Sequence, residues 1–253
     1  MNWLADLVRG HRTRIGSRWR APPAGRIAGI VLAMLRCDQR PGDLADGNGV
    51  HRTTVSRWVR EVVALPAARA PRLDRALRKI ARSGGGAVLL DGSLIRTCRR
   101  TGTGNRKNYS GKHTCHGLLV IALTDDNGRL VWVSAVRPGR TSEITACRHD
   151  NLTAHLRAAG LGTITDLGFV GLDDSGPDAD PAVNTGYKAA RNKPLTRGQK
   201  LSHKTLATVR APVEHGFAHL KNWRALGKIR TDPTWATALV RALPVLTNRE
   251  VAR

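Results

Sequence analysis

The stretch AVLLDGSLI, residues 87–95, constrains the fold more than any other part of the chain. It is a strand-forming apolar run broken by one charge, Asp91. A carboxylate inside a buried strand is costly unless it is paired, hydrogen-bonded or bound to a cation. Two further acids stand in comparable isolation. Asp166 ends a short apolar strand in LGTITDLGFVG and is followed by Gly168 and Gly171, a position where α/β sheets often place ligands. Glu214 lies in LATVRAPVEHGFAHLKNWRAL, residues 206–226, whose Val213, Phe217 and Leu220 share one helical face that Trp223 roughly continues. From residue 188 to 224 it is the one acid among nine Lys and Arg. Two readings fit it. It is either an acid near a helix start, with Pro212 as the first helical residue, or a metal ligand surrounded by groups that hold phosphate.

The elements around these acids predict a mixed sheet flanked by helices. After the Asp91 strand come two strands, 117–124 and 129–136, joined through Asp125-Asp126-Asn127-Gly128, a hairpin pattern that makes Asp125 and Asp126 turn residues. Residues 139–160 contain a helix, the Asp166 strand follows, and 183–187 suits one more short strand. The acidic loop LDDSGPDADP, 172–181, reads as solvated, because it lacks the spacing of a calcium loop. The helix carrying Glu214 and a last helix over 234–247 complete an α/β domain, residues 84–253.

Residues 1–83 read as an all-α domain. They hold a short amphipathic N-terminal segment, then helices over 24–37, 41–46, 52–63 and 73–81, with a Pro-bracketed linker at 65–71. Ala45, Gly49, Val55 and Trp58 occupy the small, turn and core places of a helix-turn-helix, although a generic helical hairpin fits too. In the first case Arg52, Thr53 and Arg57 face DNA from the start of the second helix.

Charge points to the partner. The 253 residues carry 42 Lys and Arg against 19 Asp and Glu, a net charge of +23. So large an excess predicts a polyanion, most simply double-stranded DNA, bound with strong salt dependence. No basic helix has the wide apolar face an anionic membrane requires. No apolar run is long enough to span a bilayer, and the N-terminus lacks an apolar signal region. Both point to a cytoplasmic protein that associates with the nucleoid when bound to DNA. The acid-free segment from Arg96 to His116 reads either as a loop that closes on phosphates or as a solvated basic loop. Arg106, Lys107 and Lys112 are its candidate DNA contacts. Cys37, Cys98, Cys115 and Cys147 show no paired spacing, so they read as packed or free thiols.

If Asp91, Asp166 and Glu214 converge, their mutual repulsion calls for divalent cations. Oxygen ligands suit Mg²⁺, with Mn²⁺ as a substitute, and two such ions support phosphodiester transfer. The motifs LLDGSLI, NYSGKHTCHG, LVWVSAVRPGRTSE, TDLGFVG and RAPVEHGFAHLKNWR, in this order, resemble those of bacterial insertion-sequence transposases of the DDE type. That resemblance spans roughly residues 25–250. It implies a ribonuclease H-like catalytic domain behind a helix-turn-helix domain, with Asp91, Asp166 and Glu214 as the metal-binding catalytic triad. It also places Lys221 and Arg224 on the helix that approaches DNA. The implied reaction is cleavage at terminal inverted repeats and joining of the freed 3′-hydroxyl to target DNA, by a homodimer assembled on the two ends. Two departures stand out. Leu167 and Phe169 replace the basic and aromatic residues of an Asp-Lys-Gly-Tyr pattern, and Ser142-Glu143 replaces His-Asp. The alternative is an inactive DNA-binding regulator or a decayed transposase copy.

Overall fold

A computed structural model describes residues 2–16, 22–97, 103–173, 182–187, 194–227, 229 and 233–251. Cys98, most of the acidic loop at 172–181 and part of the basic segment after Tyr187 lie outside the described residues.

Five helices lead into the sheet: α1 Asn2–Arg14, α2 Ala24–Cys37, α3 Pro41–Asp46, α4 Arg52–Ala67 and α5 Leu73–Arg82. Helical spacing decides what each buries. Leu4 and Val8 of α1, Ile27 and Val31 of α2, and Val55, Trp58, Val59 and Val62 of α4 all face inward. Pro41 starts α3, Ala45 is buried, and Gly49 turns the chain at φ +61°. α4 runs past its expected end near 63, because Pro66 falls in the last turn, where a missing N–H costs only one bond.

The sheet contains β1 Ala87–Arg96, β2 Tyr109–Ser110, β3 Cys115–Thr124, β4 Leu130–Val133, β5 Arg137–Pro138, β6 Gly162–Ile164 and β7 Val183–Asn184. Its spatial order is β2-β3-β1-β6-β7, with β4 and β5 also paired to β3. β1 runs antiparallel to β3 and parallel to β6, and β6 runs parallel to β7. The hairpin between β3 and β4 turns as its sequence predicts. The Asp125 carboxylate accepts the N–H of Asn127 at 3.1 Å and of Arg129 at 2.8 Å, while Gly128 adopts φ +75°. The expected helix within 139–160 is divided into α6 Glu143–His149 and α7 Leu152–Ala158, because Asn151 takes a left-handed backbone between them.

Alternation along β1 and β3 feeds two cores. Leu89, Ile95, Leu118, Val120 and Ala122 face α8 (Arg197–Lys221), α9 (Pro233–Val251) and, beyond them, α1, α2 and α4. Val88, Leu90, Leu119, Ile121 and Leu123 face α5, α6 and α7. The first core crosses residue 84, so the N-terminal helices and the sheet segment bury apolar surface together. The whole is a mixed sheet flanked by helices, compatible with a ribonuclease H-like fold.

The start of α8 differs from the sequence expectation. The helix begins at Arg197 with a capping box between Thr196 and Gln199, which leaves Pro212 deep inside it. Glu214 is therefore not a first-turn acid, and its dipole reading falls away.

Candidate functional site

β1 and β6 lie side by side, and their last matched rung pairs Leu89 with Ile164. Asp91 and Asp166 each stand two residues beyond that rung. The register thus places both acids at one level, Asp91 midway along β1 and Asp166 just past the carboxyl end of the neighbouring parallel strand β6. The charge of Asp166 reaches Asp91. Asp91 has its pKa raised from 3.8 to about 6, first by burial and further by the charges of Asp166 and Glu143. A hydrogen bond from its neighbour's N–H, Gly92 at 2.8 Å, and the charge of Arg210 act in the opposite direction.

Asp166 caps the 3-10 turn Leu167–Phe169, where its Oδ1 accepts the Gly168 N–H at 2.8 Å. Phe169 inserts fully into the core below and fixes the turn. Leu167, by contrast, is exposed. The position that departs from the Asp-Lys pattern therefore faces outward beside the acid.

Two groups complete the site that sequence reasoning did not assign to it. The first is Arg210 of α8, whose guanidinium lies 3.6 Å from Asp91 Oδ2 with most of its side chain covered. The second is Glu143, in the first turn of α6. Glycines let it approach: a Cβ on Gly92 would meet Glu143 Cγ at 2.8 Å. A Cβ on Gly168 would lie 2.5 Å from Glu143 Oε2 and 2.9 Å from Asp166 Oδ1. Glu143 accepts hydrogen bonds from Lys112 Nζ at 3.0 and 3.3 Å. Lys112 comes from the tight turn 111–114 between β2 and β3. Partial burial lowers the pKa of Lys112, but the hydrogen bond to Glu143 and the charges of Glu143, Asp166 and Asp91 outweigh it, and the net direction is upward.

The other candidate residues are spread around this centre. Glu214 is exposed on α8, one helical turn beyond Arg210, and the charges acting on Asp91 are Arg210, Asp166 and Glu143. Among the described residues no group of three His, Cys, Asp or Glu is set to hold a metal ion. Arg52, Thr53 and Arg57 are exposed at the start of α4. Arg106 and Lys107 are exposed in the 3-10 helix Thr103–Asn108. Lys221 and Arg224 are exposed at the end of α8 and in the turn after it. Lys221 also borders an apolar cavity of about 270 Å³ between α8 and the second half of β1.

The chemistry of Asp91 and Asp166 fits a hard divalent cation. They offer oxygen donors only, Asp91 is only partly compensated by Arg210, and the second nearby cation, Lys112, is paired with Glu143. No helix among the described residues is long and apolar enough to cross a membrane.

No curated protein and no solved structure gives a match to the chain. The sequence profile of the DDE superfamily endonucleases matches residues 90–248, a span that includes Asp91, Asp166 and Glu214. That span is well over half of the chain, which belongs to the DDE superfamily endonuclease family.

Proposed function

We propose that the protein is a DNA transposase that cleaves phosphodiesters at insertion-element ends and joins the freed 3′-hydroxyl to target DNA. One observation carries the reading: Asp91 and Asp166 stand at the same level on neighbouring parallel segments of the sheet, and the charge of Asp166 helps to raise the pKa of Asp91. In this reading Asp91 and Asp166 hold Mg²⁺, or Mn²⁺ in its place, and Glu214 is the third carboxylate. Glu214 is four residues from Arg210, hence on the same stripe of α8, and Arg210 already reaches Asp91. The bound cations would activate water or a 3′-hydroxyl and stabilise the leaving oxygen. Arg106, Lys107, Lys112, Lys221 and Arg224 contact the DNA backbone around the acids. Arg52, Thr53 and Arg57, on a helix-turn-helix formed by α3 and α4, read the terminal inverted repeats. Two chains pair two ends as a homodimer on DNA, in the cytoplasm and on the nucleoid.

The test is a cleavage assay on supercoiled DNA carrying the element's ends. Wild-type protein with Mg²⁺ or Mn²⁺ is expected to nick or join strands, and EDTA is expected to stop it. Tight binding to the ends without cleavage in either metal would favour an inactive DNA-binding regulator.

A further inference from the structure

Lys112 holds an unusual position for a residue of a basic DNA-facing segment. Its carbon chain is largely exposed, but its ammonium bridges both oxygens of Glu143, whose own side chain is only 12% exposed. Three acids act on that ammonium: Glu143 directly, and Asp166 and Asp91 through their charge. Glu143 cannot withdraw easily, since it packs over Gly92 on one side and Gly168 on the other. The turn that carries Lys112 is fixed as well, by the pairing of Tyr109 with His116 and Ser110 with Cys115. A tethered ammonium is thus held by Glu143 within the field of Asp91 and Asp166.

We infer that Lys112, held by Glu143, is the resident counter-cation of the Asp91–Asp166 site and competes with the divalent metal for it. The inference rests on the metal-binding reading of Asp91 and Asp166. Like charges repel, so the tethered ammonium weakens metal binding at Asp91 and Asp166, and entry of the metal loosens Lys112 from Glu143. The freed lysine then lies beside Asp166, on the side where Leu167 offers no basic group. In this arrangement metal loading and exposure of a phosphate-binding lysine are one event.

The experiment measures Mn²⁺ affinity of the full chain by electron paramagnetic resonance at fixed ionic strength, without DNA. Lys112→Gln is expected to tighten Mn²⁺ binding roughly three- to tenfold. Lys112→Arg keeps the charge and stays close to wild type. Lys79→Gln, which removes an exposed charge on α5, controls for the protein's overall positive field and leaves the affinity unchanged. In a Glu143→Gln background the tether is gone, and Lys112→Gln has no further effect. Unchanged or weaker Mn²⁺ binding in Lys112→Gln overturns the inference, as does equal tightening in both backgrounds. Wild-type protein whose Mn²⁺ binding is unaffected by Asp166→Asn would instead overturn the metal-site reading itself, and this inference with it. Circular dichroism of each variant confirms that it is folded.

Discussion

Replacing Asp91 with asparagine is expected to lower metal-dependent DNA cleavage by about 10³-fold or more while making the fold more stable. The first effect follows from loss of a charged oxygen at the Asp91–Asp166 site, a transition-state loss of about 4 kcal/mol. The second follows from the raised pKa. Asp91 titrates near 6 in the folded protein against an ordinary 3.8, so protonation favours the folded state. That stabilisation is complete below 3.8 and is lost as pH rises through about 6. At pH 7.5 the native protein therefore carries an ionised, poorly solvated carboxylate, a burden of roughly 3 kcal/mol. Asparagine removes it, and the figure already includes the opposing charge of Arg210. Thermal unfolding in EDTA should show the variant more stable than wild type at pH 7.5, with the difference shrinking between pH 6 and 4. Cleavage by the wild type should fall over the same interval as Asp91 takes up a proton. A variant that is inactive because it is unfolded would contradict this account.

Gly128→Val is expected to cost about 3 kcal/mol or more and to dislodge α8. Gly128 holds φ +75°, and a Cβ there would lie 2.5 Å from the carbonyl oxygen of Pro212 in α8, a backbone atom that cannot swing away. Gly216 makes the reciprocal approach, with its Cβ position 2.7 Å from the Gly128 carbonyl oxygen. Two glycines thus seat α8 directly on the β3–β4 hairpin, and that seat sets the height of Arg210 and Glu214 over β1. Strain at the positive φ and the backbone clash add together, lowering the melting temperature by roughly 10 °C. Gly84→Ala provides the contrast. It has φ +82° and open space around it, so only the conformational strain of about 1 kcal/mol applies. If both variants lose the same small amount, the close approach of hairpin and helix is not what holds α8 in place.

Much of this architecture was legible because local rules and packing agree. An apolar run broken by one charge identified β1, the Asp125–Gly128 pattern identified the hairpin that β3 enters, and helical spacing placed α2, α3 and α5 within a residue of their observed bounds. Asp91 and Asp166 were visible as charges in apolar elements, and the register supplies what sequence lacks, their common level across two strands. The rest was hidden for identifiable reasons. Pro212 suggests a helix start, but the capping box at Thr196 and Gln199 and the contacts of Val213 and Phe217 outweigh one lost bond. Arg210 was one of many bases, and only its spacing of four from Glu214 hinted that the two share a stripe. Glu143 stood out as a departure from a family pattern and not as a neighbour of Asp91. Its place depends on Gly92 and Gly168, glycines distant in sequence whose missing side chains make room for it.

The most direct test of the account is the anomalous diffraction of Mn²⁺ in crystals of the full chain. The account predicts a Mn²⁺ peak coordinated by carboxylate oxygens of both Asp91 and Asp166, with Lys112 displaced from Glu143. The carboxylate of Glu214 should turn in from α8 as Arg210 gives way. Mn²⁺ bound elsewhere, with Asp91 and Asp166 still facing Arg210 and Lys112, would contradict the claim that these acids form the metal site.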